Sequence, residues 1–165
     1  MADYLLPDDI TTLAQRVIEE NASAGRKVVL AESCTGGLVA AALTEIAGSS
    51  SVLDRSFVTY SNESKAAELG VASDLIEAFG AVSIACVYAM AQGALERSNA
   101  DVAVAISGIA GPGGGSDQKP VGTVVFARAI RDQEQPEAEE KLFAESSRSG
   151  VRRQATPCAL ELLLP

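Results

Sequence analysis

Two β-branched runs, "DVAVAIS" (101–107) and "VGTVVFARAI" (121–130), follow one another with only a glycine-rich segment between them. Neighbouring parallel strands need a long crossover, usually a helix, so these two are predicted to pair antiparallel. The rest of the chain alternates differently. An amphipathic helix is predicted over 8–23, where Leu13, Val17 and Ile18 recur at helical spacing after Pro7 and Asp8. The run "KVVLAE" (27–32) reads as a buried strand, "GGLVAAALTEIAG" (36–48) as a helix closed by Gly48, and "RSFVTYS" (55–61) as a second strand. A short helix over 62–70 ends at Gly70, whose freedom at positive φ suits a C-cap, and a small-residue helix covers 83–97. An acidic turn, an edge strand over 140–146 and a closing helix over 149–164 complete the pattern. Strands alternating with helices predict a single-domain α/β layered fold over 1–165, with a central mixed β-sheet flanked by helices.

The strongest chemical constraint is an absence: the chain contains no histidine. Ser-His-Asp and Cys-His catalysis are thereby excluded, as are histidine-containing zinc sites. Three widely spaced cysteines, Cys34, Cys86 and Cys158, suggest neither a disulfide framework nor a metal site. A formal net charge of −9 argues against an extended nucleic-acid surface. No apolar run is long enough to span a bilayer, and the acidic start "MADYLLPDD" does not resemble a signal peptide. Cytoplasm is the expected compartment, with no membrane partner. The sequence does not fix whether the chain forms a homo-oligomer.

Three loops fall at predicted strand ends: "ESCTGG", "YSNESK" and "SGIAGPGGG". Ligand crevices of open α/β sheets form there, so these loops are expected to converge. The first places Ser33 and Thr35 before a helix, where they serve either as caps or, for Ser33, as a nucleophile. Glu32, at the end of a buried strand, needs a hydrogen-bond donor. Cys34 is either a rival nucleophile or a buried small hydrophobe. The missing imidazole directs attention to Lys65, which works as a base only if its surroundings depress its pKa, and is otherwise a solvated surface lysine. Tyr60 is placed to hydrogen-bond that amine or shuttle a proton. The third loop carries Gly108, Gly111, Gly113, Gly114, Gly115 and Gly122. It is either a mobile turn or a backbone cradle for an anion, and it matches neither standard nucleotide-binding glycine pattern.

The segments "AESCTGG", "FVTYSNESKAAELGV", "GAVS" and "SGIAGPGGGSDQKPVGTVVFA" together resemble the carboxy-terminal domain family of the competence/damage-inducible protein CinA. The resemblance implies hydrolysis of the carboxamide of nicotinamide mononucleotide to nicotinate mononucleotide and ammonia, in pyridine-nucleotide recycling. It implies a serine–lysine dyad of Ser33 and Lys65 with Tyr60 alongside, and neither metal nor organic cofactor. Substrate contacts are expected from Glu32, Thr35, Gly36, Ser107, Gly108, Gly111, Gly113 and Gly114. Arg148 and Arg152, in the net-basic end of the chain, are the candidates for the phosphate. Longer relatives carry a further N-terminal domain, so a stand-alone deamidase is expected. Two other readings stand beside this one: a catalytically idle regulatory or interaction domain of the same fold, and an amidohydrolase for another small carboxamide.

Overall fold

The computed structural model describes residues 3–144 and 147–165. A five-stranded sheet forms its centre, in the order β2-β1-β3-β4-β5. The strands are β1 (Val28–Glu32), β2 (Leu53–Val58), β3 (Val102–Gly108), β4 (Thr123–Ile130) and β5 (Glu137–Leu142). β1 pairs in parallel with both β2 and β3, whereas β3–β4 and β4–β5 are antiparallel. The sheet is mixed, as the missing helix between 107 and 121 implied. Every residue of β1 is buried, because helices cover both faces of the parallel part.

The helices are α1 (Asp8–Ser23), α2 (Leu38–Thr44), α3 (Asn62–Leu69), α4 (Ser73–Phe79), α5 (Ile84–Glu96) and α6 (Arg148–Leu162). On one face α1, α2 and α6 pack over Val28, Leu30, Val104 and Phe126. On the other, α3, α4 and α5 cover Val29, Ala31, Ala103 and Val125. Alternating residues of each strand thus feed two separate apolar layers.

The expected elements needed correction in places. The alanine-rich helix stops at Thr44, not Gly48. Its exit tightens into three-residue spacing, with the Ile46 N–H bonded to the Leu43 carbonyl and the Ser49 N–H to that of Ile46. Helix α4 has no counterpart among the expected elements; it is short and buries only Ile76, so its periodicity is faint. The edge strand begins at Glu137 and ends at Leu142; residues 145 and 146 of the expected span lie outside the described residues. Its acidic half had read as turn, but charge on an edge strand also blocks further pairing.

The fold sets the site at one place. From β1 the chain crosses to β2 on one side, while β3 lies on the other. The turns leaving the C-terminal ends of β1 and β3 therefore diverge and open a crevice between them.

Candidate active site

Ser33 follows β1 directly. Its N–H donates to the Ile106 carbonyl at 2.9 Å, which extends the β1–β3 ladder and fixes the residue beside β3. The chain then turns over Cys34 to Gly37, with φ of 59° at Gly36 and 103° at Gly37, values that residues with a Cβ avoid. Only at Leu38 does α2 begin, so Ser33 does not cap it. Glu32 does so instead. Its fully buried carboxylate accepts from the N–H groups of Val39 at 3.0 Å and Ala40 at 3.1 Å, and from Ser56 Oγ at 3.4 Å. The first free amides of α2 are spent on that carboxylate. Glu32 was expected to contact substrate; the structure instead makes it the brace between strand and helix.

Ser33 Oγ is held by Lys65. Helix α3 starts with Ser61 accepting from the Ser64 N–H, which sets Lys65 one turn inside with its side chain directed to the crevice. Lys65 is only 1% exposed, and its Nζ lies 2.9 Å from Ser33 Oγ, 2.7 Å from the Thr59 carbonyl and 3.2 Å from that of Tyr60. Burial pulls its pKa below the usual lysine value, and it forms no salt bridge with a carboxylate among the described residues. Nζ donates to the Ser33 hydroxyl oxygen and to both carbonyls, so all three of its partners are uncharged acceptors.

Cys34, the rival nucleophile, is disarmed. Burial is the main cause that pushes its thiol up to about 11, with the Glu32 charge adding to it. The thiolate that would attack is scarcely populated near neutral pH.

Around the dyad lies a cavity of about 260 Å³ lined by Ser33, Cys34, Tyr60, Lys65, Ala81, Val82, Arg148 and the arm from Ser107 to Gly114. The three loops converge as expected, and Ser107, Gly108, Gly111, Gly113 and Gly114 all face it. Gly108 has no room for a side chain, since a Cβ would stand 2.8 Å from Val124 Cγ2 and 3.0 Å from Cys34 Sγ. Thr35, Gly36 and Arg152 do not line the cavity. Thr35 is fully buried, and Arg152 donates to the carbonyls of Cys34 at 3.1 Å and Thr35 at 3.4 Å from behind the turn. Arg152 therefore braces the turn, and its expected place beside a substrate phosphate is corrected. Tyr60 also differs from expectation: its backbone carbonyl meets Lys65, while its ring is exposed and its hydroxyl accepts from Arg148 Nη2. Arg148 donates as well to the Gly111 carbonyl at 2.7 Å, tying the glycine arm to the Tyr60 loop across the cavity mouth.

Sequence reasoning missed Thr59, Ala81, Val82, Ile109 and Ala110. Thr59 contributes a carbonyl, which any residue supplies, so no side-chain signal marks it. Ala81 and Val82 sit in the "GAVS" segment, whose presence in the resemblance was the available clue.

A model of the CinA C-terminal domain matches residues 10–165. The nicotinamide-nucleotide amidohydrolase PncC of Escherichia coli (strain K12) is 49% identical over 155 residues, covering 94% of this chain and 93% of that protein. A CinA-like protein of Akkermansia muciniphila is 45% identical over 161 residues, and this chain spans 98% of itself but only 38% of that longer relative. A relative from Symbiobacterium thermophilum is likewise spanned over 39% of its length. The crystal structure of the competence/damage inducible protein CihA from Agrobacterium tumefaciens superposes with a TM-score of 0.94 at 49% identity, covering 98% of this chain and 97% of that one. With the family model matched over nearly the whole chain and the same fold in solved relatives, the protein belongs to the CinA C-terminal domain family.

Proposed function

We propose that the chain is an amidohydrolase that converts nicotinamide mononucleotide and water to nicotinate mononucleotide and ammonia, through Ser33 as nucleophile and Lys65 as base. The observation that carries this reading is the buried 2.9 Å contact between Lys65 Nζ and Ser33 Oγ, with both other Nζ positions given to carbonyls. The near full-length similarity to the Escherichia coli amidohydrolase supplies the substrate class.

In this mechanism the Lys65 lone pair takes the Ser33 proton as Oγ attacks the carboxamide carbon. Backbone donors stabilise the oxyanion. The Ser33 amide is already committed to Ile106, so the available donors are the Cys34 and Thr35 amides, the first of which lies against its own thiol, and the amide of Gly108. Ile109 N–H bonds to Thr123 on β4, and alternation along β3 turns the Gly108 N–H toward the Ser33 side. The Lys65 ammonium then protonates the leaving nitrogen, and ammonia departs from an acyl-serine. Water, activated by the same amine, adds to the acyl carbon and expels Ser33, releasing the carboxylate. No step calls on a metal or organic cofactor. Arg148, at the cavity mouth beside the glycine arm, is the group assigned to the substrate phosphate. We place this activity in pyridine-nucleotide recycling in the cytoplasm; among the described residues no helix is long and apolar enough to cross a membrane.

The test is ammonia release from nicotinamide mononucleotide by wild type and Ser33→Ala. Wild type should turn over and the variant should not, with its fold unchanged by circular dichroism. A wild-type protein that releases no ammonia from this substrate or from a panel of small carboxamides would overturn the enzymatic reading. Turnover retained by Ser33→Ala would overturn the dyad.

A further inference from the structure

A second cavity, of about 410 Å³, lies on the far side of the nucleophile turn, lined by Leu6, Pro7 and Ile10 of the α1 end, Leu38 at the start of α2, and Arg152 and Thr156 of α6. It is larger than the cavity over the dyad, and its lining includes no lysine to pair with a hydroxyl as Lys65 pairs with Ser33. Its size and mainly apolar lining, interrupted by a few polar groups, match small-molecule sites. We propose that it is a regulatory site for a small monocarboxylate with an apolar body.

The ligand class follows from Arg152. Its Nε and one proton of Nη2 go to the carbonyls of Cys34 and Thr35, and no bond to Nη1 occurs among the described residues. The open edge of the guanidinium, Nη1 with the second proton of Nη2, fits the two oxygens of one carboxylate. The neighbouring Arg153 is already paired with Asp9 at 2.7 Å and offers less. The first turn of the 15-residue α6, with Ser149 and Gly150 on the cavity wall, adds partial positive charge. An apolar lining penalises a doubly charged phosphate more than a singly charged carboxylate. Leu6, Ile10 and Leu38 take the hydrocarbon.

Occupancy reaches the dyad because both cavities share one wall. Arg152 and Leu38 stand on one side of the turn 33–37; Ser33 and Cys34 line the other. The two left-handed glycines, Gly36 and Gly37, give that turn room to rearrange, and a Cβ on Gly36 would meet Arg152 Nη2 at 3.6 Å. The 3.4 Å bond from Arg152 to Thr35 is the weaker of its two and yields first to a carboxylate. The turn then loses a brace behind the nucleophile, and turnover falls.

The activity readout rests on the function proposed above; the binding readout does not. Hexanoate is the probe, with hexanol as its neutral counterpart, and methyl and amide NMR signals are followed during titration. Hexanoate should bind with a Kd on the order of 1 mM, moving the methyl signals of Leu6, Ile10 and Leu38 and the amide signals of Cys34 to Gly37. Hexanol should bind at least roughly fivefold more weakly. At saturation kcat should fall about threefold to tenfold, the loss of one hydrogen bond in the transition state, with KM little changed. Ser149→Glu, on an exposed first-turn position of α6, should abolish hexanoate binding while leaving basal turnover intact. Absence of binding at 20-fold the expected Kd, roughly 20 mM, overturns the site. So does binding that Ser149→Glu leaves unchanged, or inhibition competitive with substrate. Saturation with unmoved turn amides and unchanged kcat overturns the coupling.

Discussion

The two walls of the dyad cavity are built on opposite principles. At the β1 end, nearly every polar atom of Glu32, Ser33 and Lys65 has a named partner inside the protein, and all three side chains are buried. The facing arm, residues 109–122, is exposed from Pro112 to Gln118; backbone bonds anchor its two ends, Ile109 N–H to the Thr123 carbonyl and Phe143 N–H to the Gly122 carbonyl, and between them Arg148 reaches the Gly111 carbonyl and Lys119 Nζ the Phe79 carbonyl at 2.8 Å. Chemistry needs an amine held without its proton, which only a dry and fully bonded surrounding maintains. Recognition of a mononucleotide needs backbone that can approach and adjust. The contrast predicts that changes on the first wall act on the chemical step and on pH dependence, and changes on the second act on binding.

The largest effect should come from Lys65. Lys65→Met, which keeps much of the volume, should lower kcat by roughly 10²- to 10⁴-fold, the usual contribution of a general base. Lys65→Arg should fail equally, because guanidinium stays protonated. With the amine lowered from 10.5 by burial, wild-type activity should rise with pH on a limb whose midpoint lies below that value. The stability signature runs the same way. A lysine whose folded pKa is depressed binds fewer protons folded than unfolded, so it costs stability below its folded pKa, and that cost is relieved as pH climbs to 10.5. Denaturant midpoints of wild type should therefore rise relative to Lys65→Met across that window. A flat difference, or activity in Lys65→Arg, would mean that Lys65 supplies only positive charge.

How much of this was legible without coordinates depends on what each residue contributes. Helix α1 and strands β1, β3 and β4 follow from the spacing of their apolar residues, since a two-layer core imprints its period on the sequence. The absent histidine directed attention to Lys65 and the βα turn to Ser33, but a surface lysine and a helix cap fitted those residues too, and the choice between the readings came from the family resemblance. That the two meet came only from the resemblance, because residue spacing says nothing about a contact that joins two crossovers 32 residues apart. Side chains misread were those whose type fits two jobs. Glu32 and Arg152 looked like ligand-binding charges but brace the turn from inside, and Tyr60 looked like a proton shuttle but holds Arg148 at the rim. Charge and hydroxyl identity are visible in sequence; the direction in which they point is set by packing.

An intermediate effect is expected on the recognition side. If Arg148 holds the phosphate, the dephosphorylated riboside should be a poorer substrate than the mononucleotide by roughly tenfold to a hundredfold, the worth of one charge-assisted contact. Arg148→Ala should cut kcat/KM for the mononucleotide by a similar factor and leave the riboside nearly unaffected. Because Arg148 also ties Gly111 to Tyr60, an equal loss on both substrates would identify it as a strap and move the phosphate elsewhere on the glycine arm.

The smallest effects, and the sharpest discrimination between the two walls, come from a pair of glycines five residues apart. Both line the same cavity, yet Gly108 belongs to β3 and Gly113 to the arm. An alanine Cβ at Gly108 would stand 2.8 Å from Val124 Cγ2 and 3.1 Å from the Thr123 carbonyl, so side chain and backbone on β4 must move. Overpacking of that kind costs about 1–3 kcal/mol, and a chain of this size loses roughly 2–4 °C of Tm per kcal/mol. The same displacement carries Cys34, whose Sγ is the third close neighbour at 3.0 Å, and with it the nucleophile turn, so kcat should fall as well. At Gly113 nothing lies within 4 Å of a Cβ and φ is not in the left-handed range. Gly113→Ala should leave Tm within the change expected for about 0.5 kcal/mol, and any functional effect should fall on KM. Thermal melts and steady-state kinetics of the two variants decide the matter: a Gly113→Ala protein as destabilised as Gly108→Ala would show that the arm is packed as tightly as the dyad wall.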